Sequence, residues 1–93
     1  MKQITVEIIT PKGKKFNKNC TSVQFNVADN QAGNYIGCYG VRAGHAKAIF
    51  ALKKGVVKAY SDDLIVLNCE CGDGFATVNE DFVSLVVESF CEL

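Results

Sequence analysis

Apolar and polar residues alternate along two early segments of this chain, and this period of two constrains the fold more than any other feature. The apolar faces are formed by Ile4, Val6 and Ile8 in the first segment and by Thr21, Val23, Phe25 and Val27 in the second. Successive side chains of a strand point to opposite faces, so each segment predicts one apolar face and one wet face. This pattern is typical of an antiparallel sheet that covers a core on one side.

Turn signals separate such segments at short intervals. They fall at residues 11–14, 53–55, 61–63, 72–74 and 79–81. Between them the sequence predicts strands at about residues 46–52, 56–60, 64–71, 75–78 and 82–88. Strands that recur roughly every 8–12 residues favour an all-β fold, an antiparallel β-sandwich of short strands that forms a flattened barrel. With 93 residues, 48% of them hydrophobic, we expect a single domain over residues 1–93.

Glycine interrupts the pattern between residues 28 and 44. The segment contains Gly33, Gly37, Gly40 and Gly44, with Tyr35, Cys38 and Tyr39 among them. Four glycines in so short a span predict irregular backbone, either a long surface loop that wraps the sandwich or a loop that contacts another protein. The Gly-Lys-Ser/Thr ending of a phosphate loop is missing, and no strand-to-helix transition supports a dinucleotide site.

Charge and hydropathy exclude several classes of function. Ten basic and ten acidic residues give a formal net charge of zero, which argues against a nucleic-acid binder. Lysines crowd one early turn at Lys12, Lys14, Lys15 and Lys18, which is either a solvated loop or a dock for an acidic neighbour. No stretch approaches the roughly 18 apolar residues that span a bilayer, and the first residues lack a signal-peptide core. We therefore expect a soluble, cytosolic protein, and any membrane association must be indirect.

The five cysteines predict neither disulfides nor a metal site. They are Cys20, Cys38, Cys69, Cys71 and Cys91, an odd number without paired CxxC spacing. Cys69 and Cys71 would share one face of a strand, where disulfide geometry is rarely met. A zinc site needs two such pairs, or a pair with histidines at short spacing, and the single histidine is far away in sequence. We expect reduced, mostly buried thiols, with no metal and no cofactor.

The single histidine, His45, is open to two readings. A lone histidine at a strand edge is most often a hydrogen-bonded structural residue, although histidine also serves as a proton-sensitive contact because it titrates near neutral pH. A catalytic role would require a nucleophile and an orienting carboxylate that converge on the ring. Cys38 is the nearest thiol in sequence, and no pattern pairs the two residues. The sequence therefore does not predict an enzyme.

Several short motifs stand in a fixed order along the chain. They are Val-Glu-Ile-Ile-Thr-Pro-Lys-Gly at residues 6–13, the strand at residues 22–28, Gly-His-Ala at residues 44–46, Leu-Lys-Lys-Gly-Val-Val at residues 52–57, and Gly-Asp-Gly-Phe at residues 72–75, followed by Asn79 and the valine-rich residues 83–87. In order and spacing they resemble the epsilon subunit of F-type ATP synthases, and more narrowly its amino-terminal β-sandwich domain. Lys54 replaces a family proline, and Asp73 interrupts a family Gly-Gly-Phe.

Two departures limit what the resemblance implies. The family's Gly-Ile-Leu-Pro before Gly-His-Ala is missing, and residues 36–43 rearrange the loop that in the family lies near the membrane ring. The sequence also stops at Leu93, where the family continues into a carboxy-terminal helical hairpin that serves regulation and, in some members, binds ATP. Neither property is assigned to this chain. A short member, a cut chain and a stand-alone relative all remain open.

The resemblance implies a non-catalytic central-stalk subunit of a rotary proton-translocating ATP synthase. Such a subunit couples the gamma (shaft) subunit to the membrane c-ring, is peripheral on the cytoplasmic face of the membrane, and is expected to be monomeric when isolated. The alternative is a stand-alone interaction module with the same sandwich, outside the motor. The candidate partner-binding residues are Ile9, Asn34, Tyr35, Tyr39 and His45. Ile9 is expected to face the shaft, and the two tyrosines are expected to serve the ring end.

Overall fold

The computed structural model describes residues 2–29, 32 and 34–93, which form ten β-strands and no helix. The strands are β1 (Ile4–Thr10), β2 (Gly13–Cys20), β3 (Ser22–Ala28), β4 (Tyr35–Arg42), β5 (Ala48–Leu52), β6 (Gly55–Ser61), β7 (Leu64–Cys71), β8 (Gly74–Asn79), β9 (Phe82–Val87) and β10 (Phe90–Glu92). The all-β sandwich predicted from the sequence is therefore confirmed.

The ten strands form one hydrogen-bonded sheet whose two halves, called here the first and the second sheet, meet at β3. β5 and β6 both run antiparallel to β3, because Val27 pairs with Leu52 and Gln24 pairs with Lys58. From β5 the second sheet continues through β8, β9, β1 and β2, and from β6 the first sheet continues through β7 and β10. β4 lies on the opposite edge of β3 and extends the first sheet. Only the pairing of β1 with β9 is parallel among the described strands.

The core contains the residues that the alternation of apolar and polar residues predicted. Ile4, Val6 and Ile8 of β1 and Val23 and Phe25 of β3 are all buried. Val27 is only partly buried but packs against the same core. Each strand therefore covers the core with one face, as its period of two predicts.

The glycine-rich segment contains a regular strand, so the irregular backbone predicted for residues 28–44 is wrong over β4. Residues 35–42 pair with β3 along its whole length, with a register shift beside Ala28. No atom lies within 4 Å of where a Cβ on Gly37 or Gly40 would stand, and neither glycine adopts the left-handed conformation. The strand-forming residues between them prevail over glycine's poor propensity. Of the four glycines, Gly44 has φ +84° and lies in a turn, whereas Gly33 lies outside the described residues.

The lysine cluster also lies mainly on a strand rather than in a turn. Lys14, Lys15 and Lys18 belong to β2, which is exposed along most of its length and pairs only with β1 among the described strands. Lys12 alone stays in the preceding turn, beside Gly13 with φ +118°. An edge strand with no buried face carries no apolar alternation, which explains why the sequence did not reveal it.

Candidate partner-binding surfaces

A row of apolar side chains crosses the outer face of the second sheet. Ala51 stands opposite Phe75, Phe75 opposite Val86, and Val86 opposite Ile9. Opposed residues on one face of a sheet lie close together, so these four residues form a continuous apolar row. Phe75 is 60% exposed and Val86 49% exposed. Ile9, predicted from strand parity alone, is thus one end of a larger surface.

The apolar row opens into a groove of about 630 Å³ at one end of the sandwich. All four residues of the row line it, together with Thr10, Pro11, Ala28, Asp29, Leu52, Asp73, Gly74, Val87 and Glu88. Asp73 fixes the turn at this end, because its Oδ1 accepts the Lys54 N–H at 2.6 Å and its carbonyl accepts the Glu88 N–H at 3.0 Å. The groove therefore combines an apolar floor with carboxylates at its rim, which suits a protein segment.

A second row beside the apolar row changes character from one edge to the other. Ile49 opposes Thr77, Thr77 opposes Ser84, and Ser84 opposes Glu7. Ile49 is 75% exposed and extends the apolar surface on β5. At the other edge Ser84 Oγ donates to Glu7 Oε2 at 3.3 Å, and Lys14 Nζ lies 2.6 Å from Glu7 Oε1. The hydrogen-bonded residues Ser84 and Glu7 therefore form the polar end of this second row.

Tyr39 and His45 form a second, separate cluster. His45 lies between β4 and β5, where its Nε2 is 2.7 Å from the Tyr39 hydroxyl and its Nδ1 is 2.6 Å from the Ala46 carbonyl. A carbonyl can only accept, so Nδ1 donates its proton to Ala46, and Nε2 is left to bond with the Tyr39 hydroxyl. Tyr39 also packs on Phe50, with ring centroids 4.7 Å apart, and on Phe25. His45 is therefore the hydrogen-bonded structural residue of the first reading, and its partner is Tyr39 rather than Cys38.

Asn34 and Tyr35 lie at the groove end of the sandwich. The Asp29 N–H donates to the Asn34 carbonyl at 2.9 Å, and Tyr35 pairs with Ala28, which lines the groove. Tyr35 is 56% exposed. The structure thus brings Asn34 and Tyr35 to the end that Ile9 also borders, and separates them from Tyr39 and His45.

Sequence reasoning missed three residues of the apolar surface, Ile49, Phe75 and Val86. Phe75 has the opposite parity from the buried residues Ala76 and Val78 of its own strand, and this parity could have identified it as an outward-facing apolar residue. Val86 lies in an uninterrupted apolar run, in which parity is hidden. Their alignment with Ile9 depends on strand register, which local sequence does not fix.

The buried thiols are poorly suited to nucleophilic chemistry. Cys20, Cys69 and Cys71 are buried as expected, whereas Cys38 and Cys91 are exposed. Cys69 and Cys71 share the inner face of β7, with sulfurs 3.8 Å apart. The hydrogen bond with Cys71 and burial together raise the pKa of the Cys69 thiol, and burial raises the pKa of Cys20, whereas the hydrogen bond with Cys69 lowers the pKa of Cys71. A thiol is a nucleophile only as thiolate, so Cys20 and Cys69 behave as small core residues.

Neither a metal centre nor a membrane span emerges from the described part of the chain. Within residues 2–29, 32 and 34–93, no three histidine, cysteine or acidic side chains converge on a point that could hold a metal ion. The same residues include no helix that could cross a membrane.

The fold and its exposed faces define a small β-sandwich domain whose accessible features are surfaces rather than an enclosed site. The family described as "ATP synthase, Delta/Epsilon chain, beta-sandwich domain" matches residues 3–92, and the chain belongs to this family. The family predicted from the order of the sequence motifs is thereby confirmed.

Relatives agree with this assignment, and solved structures share the fold. The chain is 33% identical over 89 residues to the ATP synthase epsilon chains of Staphylococcus aureus strains JH9 and N315, a match that covers 96% of this chain and 61% of the relatives. Its fold superimposes on a chain of the Euglena gracilis mitochondrial ATP synthase with a TM-score of 0.76 and 18% identity, covering 97% of this chain and 53% of that one. A chain from the central stalk and c-ring structure of the Tetrahymena thermophila mitochondrial enzyme gives a TM-score of 0.70 at 12% identity, covering 98% of this chain and 67% of that one.

Proposed function

We propose that this chain is a non-catalytic, epsilon-type central-stalk subunit of a rotary proton-translocating ATP synthase, and that it couples the gamma (shaft) subunit to the c-ring. The family match over residues 3–92 supports this assignment, and so do relatives that are ATP synthase epsilon chains. The chain spans 61% of the length of those relatives, so its partners belong to the proposal. As part of such a complex it is a peripheral subunit on the cytoplasmic face of the membrane.

The apolar row is the observation that carries the shaft contact. Ile9, Phe75 and Val86 stand side by side on one face, and their groove of about 630 Å³ is large enough for side chains of a partner. Protein interfaces draw most of their binding energy from a few apolar or aromatic anchors at a well-packed centre. Phe75, 60% exposed and central in the row, is the principal anchor of this proposal.

The groove end of the sandwich is assigned to the ring. Asn34 and Tyr35 lie there, with Tyr35 more than half exposed. Tyr39 and His45 form a second contact further along β4, where Tyr39 keeps 38% of its surface exposed beside its hydrogen bond to His45. The proposed shaft contact thus lies on the sheet face around Phe75, and the proposed ring contact lies at the adjoining end of the sandwich, around Asn34 and Tyr35.

The fold suits a mechanical role. Core side chains such as Phe25, Val41 and Leu85 are completely buried, and close-packed interiors deform little under load. β3 pairs with β6 of the first sheet and with β5 of the second, so a force applied to the second sheet passes through β3 to the first. Rigid transmission of torque between two partners needs no catalytic group.

A stand-alone interaction module remains the second candidate, and β4 favours it. Residues 35–42 form a regular strand with an exposed edge in the segment that departs from the family pattern. A module outside the motor would keep the sandwich and its surfaces but would not bind the shaft.

Co-purification with the shaft subunit of the same organism tests the proposal. We expect the tagged chain to retain the co-expressed gamma subunit. Phe75→Asp should abolish retention because a carboxylate would stand at the centre of the apolar row. Thr77→Asp is the matched control, since Thr77 is exposed on the same strand and face but outside the row. Failure of the unmodified chain to retain gamma would favour the stand-alone module, whereas undiminished retention of gamma by Phe75→Asp would remove the row from the interface.

A further inference from the structure

We propose that the free edge of β4 is a self-association surface, on which a second copy of this chain adds its own β4 as an antiparallel strand. This inference does not depend on the stalk assignment. It departs from the monomer that the sequence predicts, and it rests on how differently the described edge strands are protected.

Natural sheets protect exposed edges with lysine, proline, bulges or very short strands. β2 carries Lys14, Lys15 and Lys18 along its edge. β10 has three residues, one of them acidic. β4 has eight residues and, before Arg42 at its end, contains no charged residue and no proline. Among these edges, β4 has a register shift near its beginning, and from Gly37 to Val41 it carries none of the usual protections.

The backbone of β4 points hydrogen-bonding groups outward. The Asn26 carbonyl accepts the Lys53 N–H at 3.1 Å, so the backbone of Asn26 faces the β5–β6 side of β3. Asn26 is directly opposite Cys38. In an antiparallel pair, the backbone N–H and C=O groups of two opposed residues either point toward each other or both point away. The N–H and C=O of Cys38 therefore point away from β3. The N–H and C=O of Gly40, two residues later, also point away from β3.

These outward groups have no backbone partner within the described chain. β4 pairs with β3 alone among the described strands, and outside the strand ladders no backbone hydrogen bond between described residues involves β4. The outward N–H and C=O groups of Cys38 and Gly40 are therefore open to pairing with another strand.

A second copy of the chain complements the free edge of β4 in charge. Its formal net charge is zero, so two copies do not repel each other. Arg42 ends β4, and Asp29 lies beside its beginning, where its N–H donates to the Asn34 carbonyl. Antiparallel pairing about a two-fold axis brings the basic end of each copy to the acidic end of the other. The same operation opposes Cys38 and Gly40 of one copy to the outward groups of its partner.

The association is expected to be weak and concentration-dependent. A contact limited to one pair of strands lies at the low end of interface sizes, below roughly 1,200 Å² of total buried surface. Because β4 also contains Tyr35 and Tyr39, a paired edge would leave these residues less accessible to another partner. A dimer would thus be a state of the free chain.

Sedimentation of the whole chain from micromolar to millimolar concentration tests the inference. We expect a reversible shift from monomer to dimer. Gly40→Pro should abolish the shift because proline removes an outward N–H that β3 does not use, whereas Gly40→Ala keeps that N–H and should dimerise like the unmodified chain. If Gly40→Pro lowers the melting temperature, Cys38→Lys, with Cys38→Ser as its control, tests the edge by charge instead. A chain that stays monomeric throughout, or dimers that both blocking variants retain, would overturn the proposal.

Cross-linking identifies the surface independently. Cys38 and Cys91 are the two exposed thiols among the described residues. Bis-maleimides of graded length should join two copies through Cys38, which lies on the paired edge. Cys38→Ser should remove the covalent dimer, and Cys91→Ser should retain it. If Cys91→Ser removes the covalent dimer and Cys38→Ser retains it, the contact lies at β10 and the assignment to β4 is wrong.

Discussion

The backbone carbonyl of Val86 occupies the space where a Cβ on Gly74 would have to stand. This close approach lies where β8 begins, beside the apolar row. The atoms in contact belong to the backbone of β9, so they cannot move aside as a flexible side chain would. The absence of a side chain at residue 74 therefore holds β8 against β9 and sets the shape of the groove.

We accordingly expect Gly74→Ala to destabilise the domain. Overpacking of this kind costs typically about 1–3 kcal/mol, and more where backbone must shift. Urea denaturation at equilibrium measures the change in the free energy of unfolding. Gly37→Ala is the matched control because its Cβ would meet open space. Equal stability of the two variants would show that β8 and β9 separate easily.

Opposite faces of β3 should respond oppositely to a carboxylate. Val23→Asp and Phe25→Asp should unfold the domain, because both side chains are fully buried and an unpaired buried charge costs several kcal/mol against a total stability of roughly 5–15 kcal/mol. Gln24→Asp should be tolerated, since Gln24 lies on the outer face. Circular dichroism melting compares the three variants. A folded Phe25→Asp protein would contradict the position of the core.

The two tyrosines of β4 should differ in their effect on stability. Tyr39→Ala should cost about 1–3 kcal/mol, since it removes ring contacts with Phe25 and Phe50 and the hydrogen bond to His45. Tyr35→Ala should change stability by less than about 0.5 kcal/mol because its side chain is mostly exposed. If Tyr35→Ala alone weakens assembly onto the membrane sector at normal stability, the ring contact proposed for the groove end is supported. Equal destabilisation would make both tyrosines structural.

The thiols should divide into two classes. Cys38 and Cys91 should react rapidly with a disulfide reagent in the folded protein, whereas Cys20, Cys69 and Cys71 should react only after unfolding. Counting the thiolate released before and after denaturant measures this division. Rapid reaction of more than two thiols in the folded state would contradict the burial of β7.

Stability should also fall in alkaline solution. The hydrogen bond with Cys71 and burial raise the pKa of Cys69, so the folded state keeps a proton that the unfolded chain releases above about pH 8.5. At Cys69 the unfolded state then binds fewer protons, so the contribution of Cys69 to the free energy of unfolding decreases with rising pH above that value. The lowered pKa of Cys71 contributes in the opposite direction, as pH rises toward its unfolded value. Urea midpoints at neutral and alkaline pH measure the loss. Cys69→Ala should reduce it and Cys38→Ala should not.

Strands with one buried face were predictable because burial imposes a period of two on the sequence. β1 and β3 are the examples, and their buried residues follow the predicted parity except Ala28, which lies at the register shift at the end of β3. β2 was not predictable because only Phe16 and Cys20 along its length are not fully exposed. β4 was missed because Gly37 and Gly40 lower strand propensity, and only pairing with β3 supplies the compensating contacts.

The candidate surface was predictable only in part, for a related reason. Parity identified Ile9 as an apolar side chain that points away from the core. Its neighbours Val86 and Phe75 come from strands more than sixty residues later in the chain, and their register with β1 is a property of the whole sheet. A local pattern therefore gives single members of such a surface, and tertiary pairing assembles them.

The parallel pairing of β1 with β9 has a consequence for the life of the nascent chain. Ile8 meets Leu85 in this ladder, so the second sheet cannot close until most of the sequence has left the ribosome. Pairings between such distant segments slow folding, because the entropy of loop closure must be spent before the contacts form. During synthesis β1 therefore exposes its apolar face without β9, its parallel partner, and the emerging chain is most vulnerable to aggregation at this stage.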